Sequence, residues 1–386
     1  MSKFDPKRPF NGLLNLPPNA DIETRAILKR CIEARSALAE LKQAGELISN
    51  QDVLINTIPL REAKDSSAIE NIVTTDDKLF HYAATRAADA DPSTKETLRY
   101  RTALFEGFQE IRVRPLSTAT AVRICQIIRS AEVDIRNTPG TALKSTATGQ
   151  IVYTPPEGDS LLREKLENWE RYLHEDKETD PLIRMAVGHY QFEAIHPFTD
   201  GNGRTGRIIN ILYMISENIL EIPVLYLSRH IVENKDDYYK FLLEVTTDAK
   251  WEQWIIYMLT AVERTAKWTS AKVRAIRKLM VHTRDYVRSA RPNIYSRELI
   301  DLIFIQPYCR INHLTEGGIA QRATASKYLK AMCSIGVLRE IKVGRVKLFI
   351  HLKYLSLLMD EGNDYSPYGG PENSSPAISR SRGCPR

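Results

Sequence analysis

The chain has no apolar run approaching the roughly 18 residues that a membrane helix needs. Its first residues, MSKFDPKRPFNGLL, lack the sustained apolar stretch of a secretory leader. Both absences lead to the expectation of a cytoplasmic protein without a membrane partner. Cysteine is sparse. Cys31, Cys125, Cys309, Cys333 and Cys384 are scattered, odd in number and never in a C-x-x-C pair. That spacing argues against a zinc ribbon or a disulfide framework and for incidental thiols in a reducing compartment. No G-x-x-x-x-G-K-[ST] loop occurs, which removes the P-loop NTPases, and no solenoid-period repeat is present.

What is present is ordinary for a globular protein: 386 residues, 43% apolar and 26% charged. That length suggests roughly two or three domains. The net charge of +6 conceals an asymmetry. Between Arg291 and Leu358 there are 11 basic and 4 acidic residues, a balance of +7 that leaves −1 for the rest. A basic C-terminal module implies a partner of opposite sign.

Helical periodicity dominates the first 270 or so residues. Asp21 is expected to cap a helix through Ile27, Leu28, Ile32, Leu38 and Leu41; Asp91-Pro92 opens another. Asp159 opens a third, and Leu182 to Ile195 and Ile208 to Leu220 carry the same period. Residues Thr138 to Pro156 break the pattern, with β-branched Ile151-Val152 set between glycines and prolines, and predict a short hairpin, or flap. From Ser296 the reading is three helices (296–305, 314–320, 321–335) and two strands turning at Val343-Gly344, the pattern of a winged helix-turn-helix. The last 26 residues hold four Pro, four Gly and five Ser and are expected to be disordered. The expected organisation is a helical region over 1–110, a core over 111–270, a winged helix over 290–358 and a tail over 359–386.

Chemistry concentrates at residues 196–207, His-Pro-Phe-Thr-Asp-Gly-Asn-Gly-Arg-Thr-Gly-Arg. Glycines entering a helix N-terminus expose backbone N–H groups at the positive end of the dipole, an anion site. Arg204 and Arg207, three apart, can clamp phosphate oxygens from the first turn. Asp200 is a hard oxygen ligand suited to Mg²⁺ on those phosphates. His196 is the nearby group suited to general base work at neutral pH. Together they spell phosphoryl or nucleotidyl transfer. Gly201 to Gly206 also satisfies G-x-G-x-x-G, but the preceding segment has helical rather than strand period, which argues against a dinucleotide fold.

This segment resembles the signature of Fic-domain proteins, H-P-F-x-D/E-G-N-G-R-x-x-R, at every specified position. The resemblance implies a mainly α fold: a Fic-type helical core with a β-hairpin flap, plus a C-terminal winged helix-turn-helix. It implies a protein adenylyltransferase moving AMP from ATP to a Ser, Thr or Tyr hydroxyl. His196 would be the base and Asp200 the Mg²⁺ ligand. Gly201, Asn202, Gly203, Thr205 and Gly206 would belong to the ATP cradle, and Arg204 and Arg207 would neutralise the β- and γ-phosphates. Ser66-Ser-Ala-Ile-Glu70-Asn71 resembles the family's inhibitory motif, with Glu70 set to occupy Arg207. Read without the family, Ser67-x-x-Glu70 is a capping box at a helix start. Ile151, Val152 and Tyr153 match the strand that docks the target by main-chain pairing. Tyr238 and Tyr239 resemble a pair lining the adenine pocket. The partners implied are a hydroxyl-bearing target protein, the chain itself, a second copy, and DNA or protein at the winged helix. AMP removal at the same site and a DNA-binding regulator with a nucleotide-sensing body are the alternatives.

Overall fold

The computed structural model of the chain describes residues 4–85, 89–145, 148–343 and 346–369. It forms two compact units, Met1–Val273 and Arg274–Arg386. The first is helical: α1 (Arg25–Glu46), α2 (Asp52–Ile55), α3 (Ile58–Ile69), α4 (Asp76–Thr85), α5 (Pro92–Ile111) and α6 (Thr118–Arg129). A two-stranded antiparallel hairpin, β1 (Leu143–Lys144) and β2 (Ile151–Tyr153), follows, with Leu143 opposite Tyr153. Then come α7 (Asp159–Glu175), α8 (Pro181–Ile195), α9 (Asn202–Ser216), α10 (Ser228–Glu233), α11 (Lys235–Asp248) and α12 (Trp251–Ala290), the last belonging to both units.

Several starts follow from capping. Asp91 accepts from Thr94 N at 3.0 Å ahead of Pro92, and Asp180 accepts from Leu182 N at 2.8 Å ahead of Pro181. The first helix departs from expectation. Asp21 makes only a local turn to Glu23 N, and Thr24 Oγ1 caps α1 through Ile27 N at 3.3 Å. The side chain nearest the first helical N–H groups takes the cap. Nearly every residue of α8 and α9 is buried, so this pair is the centre of the unit. α8 packs on α7 and α9, while α5 and α6 cover α9.

The second unit holds α13 (Arg297–Ile305), β3 (Tyr308–Cys309), α14 (Ile311–Glu316), α15 (Arg322–Ser334), β4 (Arg339–Val343), β5 (Val346–Ile350) and α16 (Leu352–Met359). Ser296 caps α13 by accepting from Leu299 N at 3.1 Å. Leu299, Ile303, Leu314, Leu329, Met332 and Leu348 form its core. The three strands make an antiparallel sheet in the order β3-β5-β4. β3 was not expected, because two residues carry no alternation to read. α14 lies three residues earlier than the periodicity suggested. Residue 344 of the expected turn and residue 345, the expected start of the strand after it, lie outside the described residues.

The expectation of a disordered tail from 359 needs correction over its first part. Tyr368 is buried, stacks on His282 and Tyr286, and bonds Thr283 through its hydroxyl at 3.0 Å. One aromatic anchor outweighs the Gly/Pro-rich composition around it. Residues 370–386 lie outside the described residues. Among those described, no helix is long and apolar enough to cross a membrane.

Candidate active site

The site sits at the corner between α8 and α9. His196 ends α8 in the left-handed conformation, with φ +50°. Arg136, on the segment after α6, holds that corner. Its Nε donates to the His196 carbonyl at 2.8 Å, and its Nη2 donates to the carbonyls of Ile195 (3.2 Å) and Pro156. Burial, reinforced by the Arg136 charge, pushes the His196 imidazole down to about 4. The ring is therefore neutral at physiological pH, the state a base requires.

The loop beyond His196 is braced by Asn202. Its carboxamide accepts from Phe198 N and donates to the Phe198 carbonyl, both at 2.8 Å. Both ends of the Asn202 side chain therefore serve the loop. Gly201 caps α9 at φ +90° and offers no side chain to the first turn. The N–H groups of Asn202, Gly203 and Arg204 are thus left for an outside acceptor.

Gly203 and Gly206 are needed for contact, not for freedom. A Cβ at Gly203 would lie 2.3 Å from Glu70 Oε1 and 2.9 Å from Arg207 Nη1. A Cβ at Gly206 would lie 2.7 Å from Glu193 Oε1 on α8. Gly206 therefore serves helix packing. Thr205 is wholly buried.

The two arginines are both buried and already paired. Arg204 pairs through Nη1 with Glu96 of α5, and its Nη2 lies 3.6 Å from Asp200 Oδ1. Arg207 is turned to α3. Its Nε donates to Ser66 Oγ at 2.8 Å, and its Nη2 donates to the Ser66 carbonyl and to Glu70 Oε1, each at 2.9 Å. Ser66 and Glu70 are one helical turn apart, so both face one guanidinium. Burial works against the Arg207 charge, yet the Glu70 carboxylate and its neighbours more than offset it, so the guanidinium stays protonated above its ordinary range.

The Ser67–Glu70 capping-box reading also falls. Glu70 is at the C-terminal end of α3, and Asn71, at φ +63°, takes the left-handed position that terminates it. α3 is firmly held. Glu62 accepts from Ser228 N (2.8 Å), Ser228 Oγ (2.6 Å) and Tyr100 OH (2.9 Å), and burial pushes its carboxyl up to about 7. Lys64 pairs with Asp76 at 2.6 Å, and the Tyr226 hydroxyl donates to Asp65.

Asp200 is about half exposed at the mouth, where Arg129 of α6 pairs with it. Among the described residues, no cluster of three or more His, Cys, Asp or Glu side chains could form a metal cage. A lone, accessible carboxylate fits Mg²⁺, which keeps its waters and is carried largely by substrate phosphates.

Tyr238 is buried among Trp254 and Tyr257, with its hydroxyl 2.8 Å from His189 Nε2. Of the tyrosine pair only Tyr239 is open to a ligand. Tyr153 donates to the Ala194 carbonyl at 2.9 Å and packs against Phe4 and Phe10, so it anchors the hairpin rather than facing outward. Ile151 and Val152 stay partly exposed on β2. The sequence reading missed Glu96, Arg129, Arg136 and Glu193. All four lie outside the signature, and only the fold brings the first three to it.

Three family models match the chain: the Fic/DOC family N-terminal model over residues 28–109, the Fic/DOC family model over 115–214, and the C-terminal domain of SoFic-like protein adenylyltransferases over 279–354. Curated relatives include protein adenylyltransferase fic-1 of Caenorhabditis briggsae, 35% identical over 92 residues, covering 23% of this chain and 17% of that one. Another is protein adenylyltransferase Fic of Nematostella vectensis, 31% identical over 100 residues, covering 26% and 22%. The matched stretch is thus about a fifth of each relative's length. A crystal structure of a Fic family protein from Desulfovibrio desulfuricans G20 superposes with a TM-score of 0.55 at 18% identity, covering 85% of this chain and 96% of that one, so the two share a fold. On these matches, with the intact signature at the α8–α9 corner, the chain carries Fic/DOC family domains over residues 28–109 and 115–214.

Proposed function

We propose that the chain is a protein adenylyltransferase, transferring AMP from ATP to a Ser, Thr or Tyr hydroxyl of a target protein or of itself. The observation that carries this reading is a neutral His196 beside the uncapped N-terminus of α9, one turn from a buried Arg207 whose outer partner is a carboxylate.

The triphosphate would enter at the first turn of α9, where free N–H groups and the helix dipole favour an anion. His196 Nδ1 is buried, which leaves Nε2 to reach outward. It would accept the proton as the target oxygen bonds to the α-phosphorus. The bond from that phosphorus to the bridging oxygen then breaks, and diphosphate leaves with the electron pair. Asp200 would hold Mg²⁺, which supplies charge neutralisation on the phosphates. The exposed Tyr239 would flank the base, and the partly exposed β2 would pair with an extended target segment.

Glu70 would act as a brake in cis. Its carboxylate takes the part of the Arg207 fork that a terminal phosphate would need. Because Glu62, Lys64 and Asp65 tie α3 down, the release we favour is rotation of the Glu70 side chain rather than departure of the helix. The free thiols Cys31, Cys125, Cys309 and Cys333 support a cytoplasmic setting.

The second unit suggests a docking role of its own. Arg322, Lys327 and Lys330 line the exposed side of α15. Such a row suits a duplex backbone and would give salt-sensitive retention.

The reaction is tested by incubating Glu70→Gly protein with ATP labelled at the α- or the γ-phosphate. Label retained from the α- but not the γ-position is expected. Retention of γ-label alone would mean phosphoryl transfer, and loss of label from pre-modified protein would mean AMP removal.

A further inference from the structure

Asp200 is the one signature residue that is exposed and carries a charge, yet in this structure its carboxylate is already taken. Arg129, the last residue of α6, pairs with Asp200 Oδ2 through Nη1, while Arg204 approaches Oδ1 at 3.6 Å. Glu96 links the two cations: it pairs with Arg204 and lies 4.0 Å from Arg129 Nη1. Two positive and two negative groups therefore balance at the mouth of the site. The stem of Arg129 lies across the loop, and a Cβ on Gly201 would come within 3.6 Å of its Cδ.

The two cations differ in what each can do. Arg204 is 2% exposed and has Glu96 as a second, closer partner. Arg129 is 38% exposed, at a helix C-terminus where a cation is favoured without any acidic partner. A divalent ion on Asp200 would put two further positive charges beside the Arg129 guanidinium. The balance then fails, and Arg129 is the group that can leave for solvent.

Resting on the reading of Asp200 as the metal ligand, we infer that Arg129 is a tethered counter-ion that holds the Asp200 carboxylate until an incoming divalent metal displaces it. Arg129 is a positioning residue that raises the metal concentration the site needs. A fixed cation competes with the metal for one carboxylate, and an exposed ion pair is weak enough for the metal to win.

The test is metal binding, read apart from catalysis. Full-length protein with α,β-methylene-ATP, which does not release AMP, is titrated with Mn²⁺, and free Mn²⁺ is followed by electron paramagnetic resonance. Arg129→Gln is expected to lower the Mn²⁺ Kd by roughly 3- to 10-fold, the range set by losing one nearby partly exposed charge. Arg129→Lys, which keeps the charge, should bind Mn²⁺ like the wild type. Arg123→Gln removes an exposed charge from the same helix, where Arg123 pairs with Glu106 and Glu110, and should shift the Kd by less than about 2-fold. Asp200→Asn should abolish the difference between Gln and Arg at 129. Equal or weaker Mn²⁺ binding by Arg129→Gln, or equal tightening by Arg123→Gln, overturns the inference, whether both proteins bind Mn²⁺ or neither does. Tightening in a protein that transfers no AMP would leave the inference standing and count against the adenylyltransferase reading.

Discussion

Glu70 Oε1 accepts from Arg207 Nη2 at 2.9 Å while Ser66, one turn earlier, accepts from the same guanidinium through both its hydroxyl and its carbonyl. Arg207 is 1% exposed and Glu70 is one-third exposed. Removing Glu70 strands a buried cation on neutral acceptors, tempered by water reaching the outer partner. Glu70→Gly should therefore destabilise the protein by about 1–2 kcal/mol, below the cost of breaking a fully buried pair. The same variant should transfer AMP faster. A urea titration beside a labelling assay checks both; a variant more stable than the wild type would contradict the pairing.

Gly203 couples to the same pair. In the wild type, a methyl group at 203 has to push the Glu70 carboxylate aside. Gly203→Ala should cost about 1 kcal/mol in the wild type and clearly less in the Glu70→Gly background, where the contact with Arg207 Nη1 persists but the Glu70 carboxylate is gone and the helix propensity of alanine helps. Melting temperatures of the four proteins in the cycle measure the coupling, and additive shifts would rule it out.

The pH dependence of transfer should reflect a depressed imidazole. Burial and the Arg136 charge both disfavour the His196 cation, so its protonation lies near 4 rather than 6.5. The His196 contribution to the rate should stay flat from pH 8 down to about 5 and fall only below that. Arg136→Gln removes the second cause and should move the acid limb upward. An acid limb near 6.5 in the wild type would contradict the described burial.

Glu193 gives a stability signature. Burial, aided by Glu70 and opposed by Arg207, pushes its carboxyl up to about 8 from 4.5. Burial outweighs the Arg207 charge, so the native state favours the protonated acid. Its stabilising contribution is complete below about pH 4.5 and is lost as the pH climbs to 8. Wild-type stability relative to Glu193→Gln should fall steadily across that window, measured by thermal melts at matched ionic strength. A difference that is constant with pH would sink the assignment.

Local chemistry made much of this legible in the sequence. Asp91-Pro92, Ser296 and the 196–207 run carry their structure in neighbouring residues, and each element appeared where its cap or motif placed it. The hairpin around Ile151-Val152 was readable from its punctuation. Burial direction was not readable. The partner of Arg204 is the clearest case, because spacing cannot say that it turns to Glu96, more than a hundred residues away, whereas for Arg207 the motif at Ser66–Asn71 had already named Glu70. Tyr238 and Tyr239 looked alike for the same reason, and only helix packing decides which one faces solvent. The Ser67–Glu70 box was misplaced because the same residue types suit both ends of a helix, and Asn71 was the clue to the C-terminal end.

The central claim is that Glu70 restrains chemistry performed by His196. It is tested most directly by the initial rate of α-label incorporation from ATP in the wild type, Glu70→Gly, and the Glu70→Gly/His196→Ala double variant. The account expects little label in the wild type, at least about 10-fold more when the Arg207 fork is freed, a factor equal to some 1.4 kcal/mol, and a return to background when the imidazole is removed. Equal labelling of the wild type and Glu70→Gly, or labelling that survives the loss of His196, would contradict it.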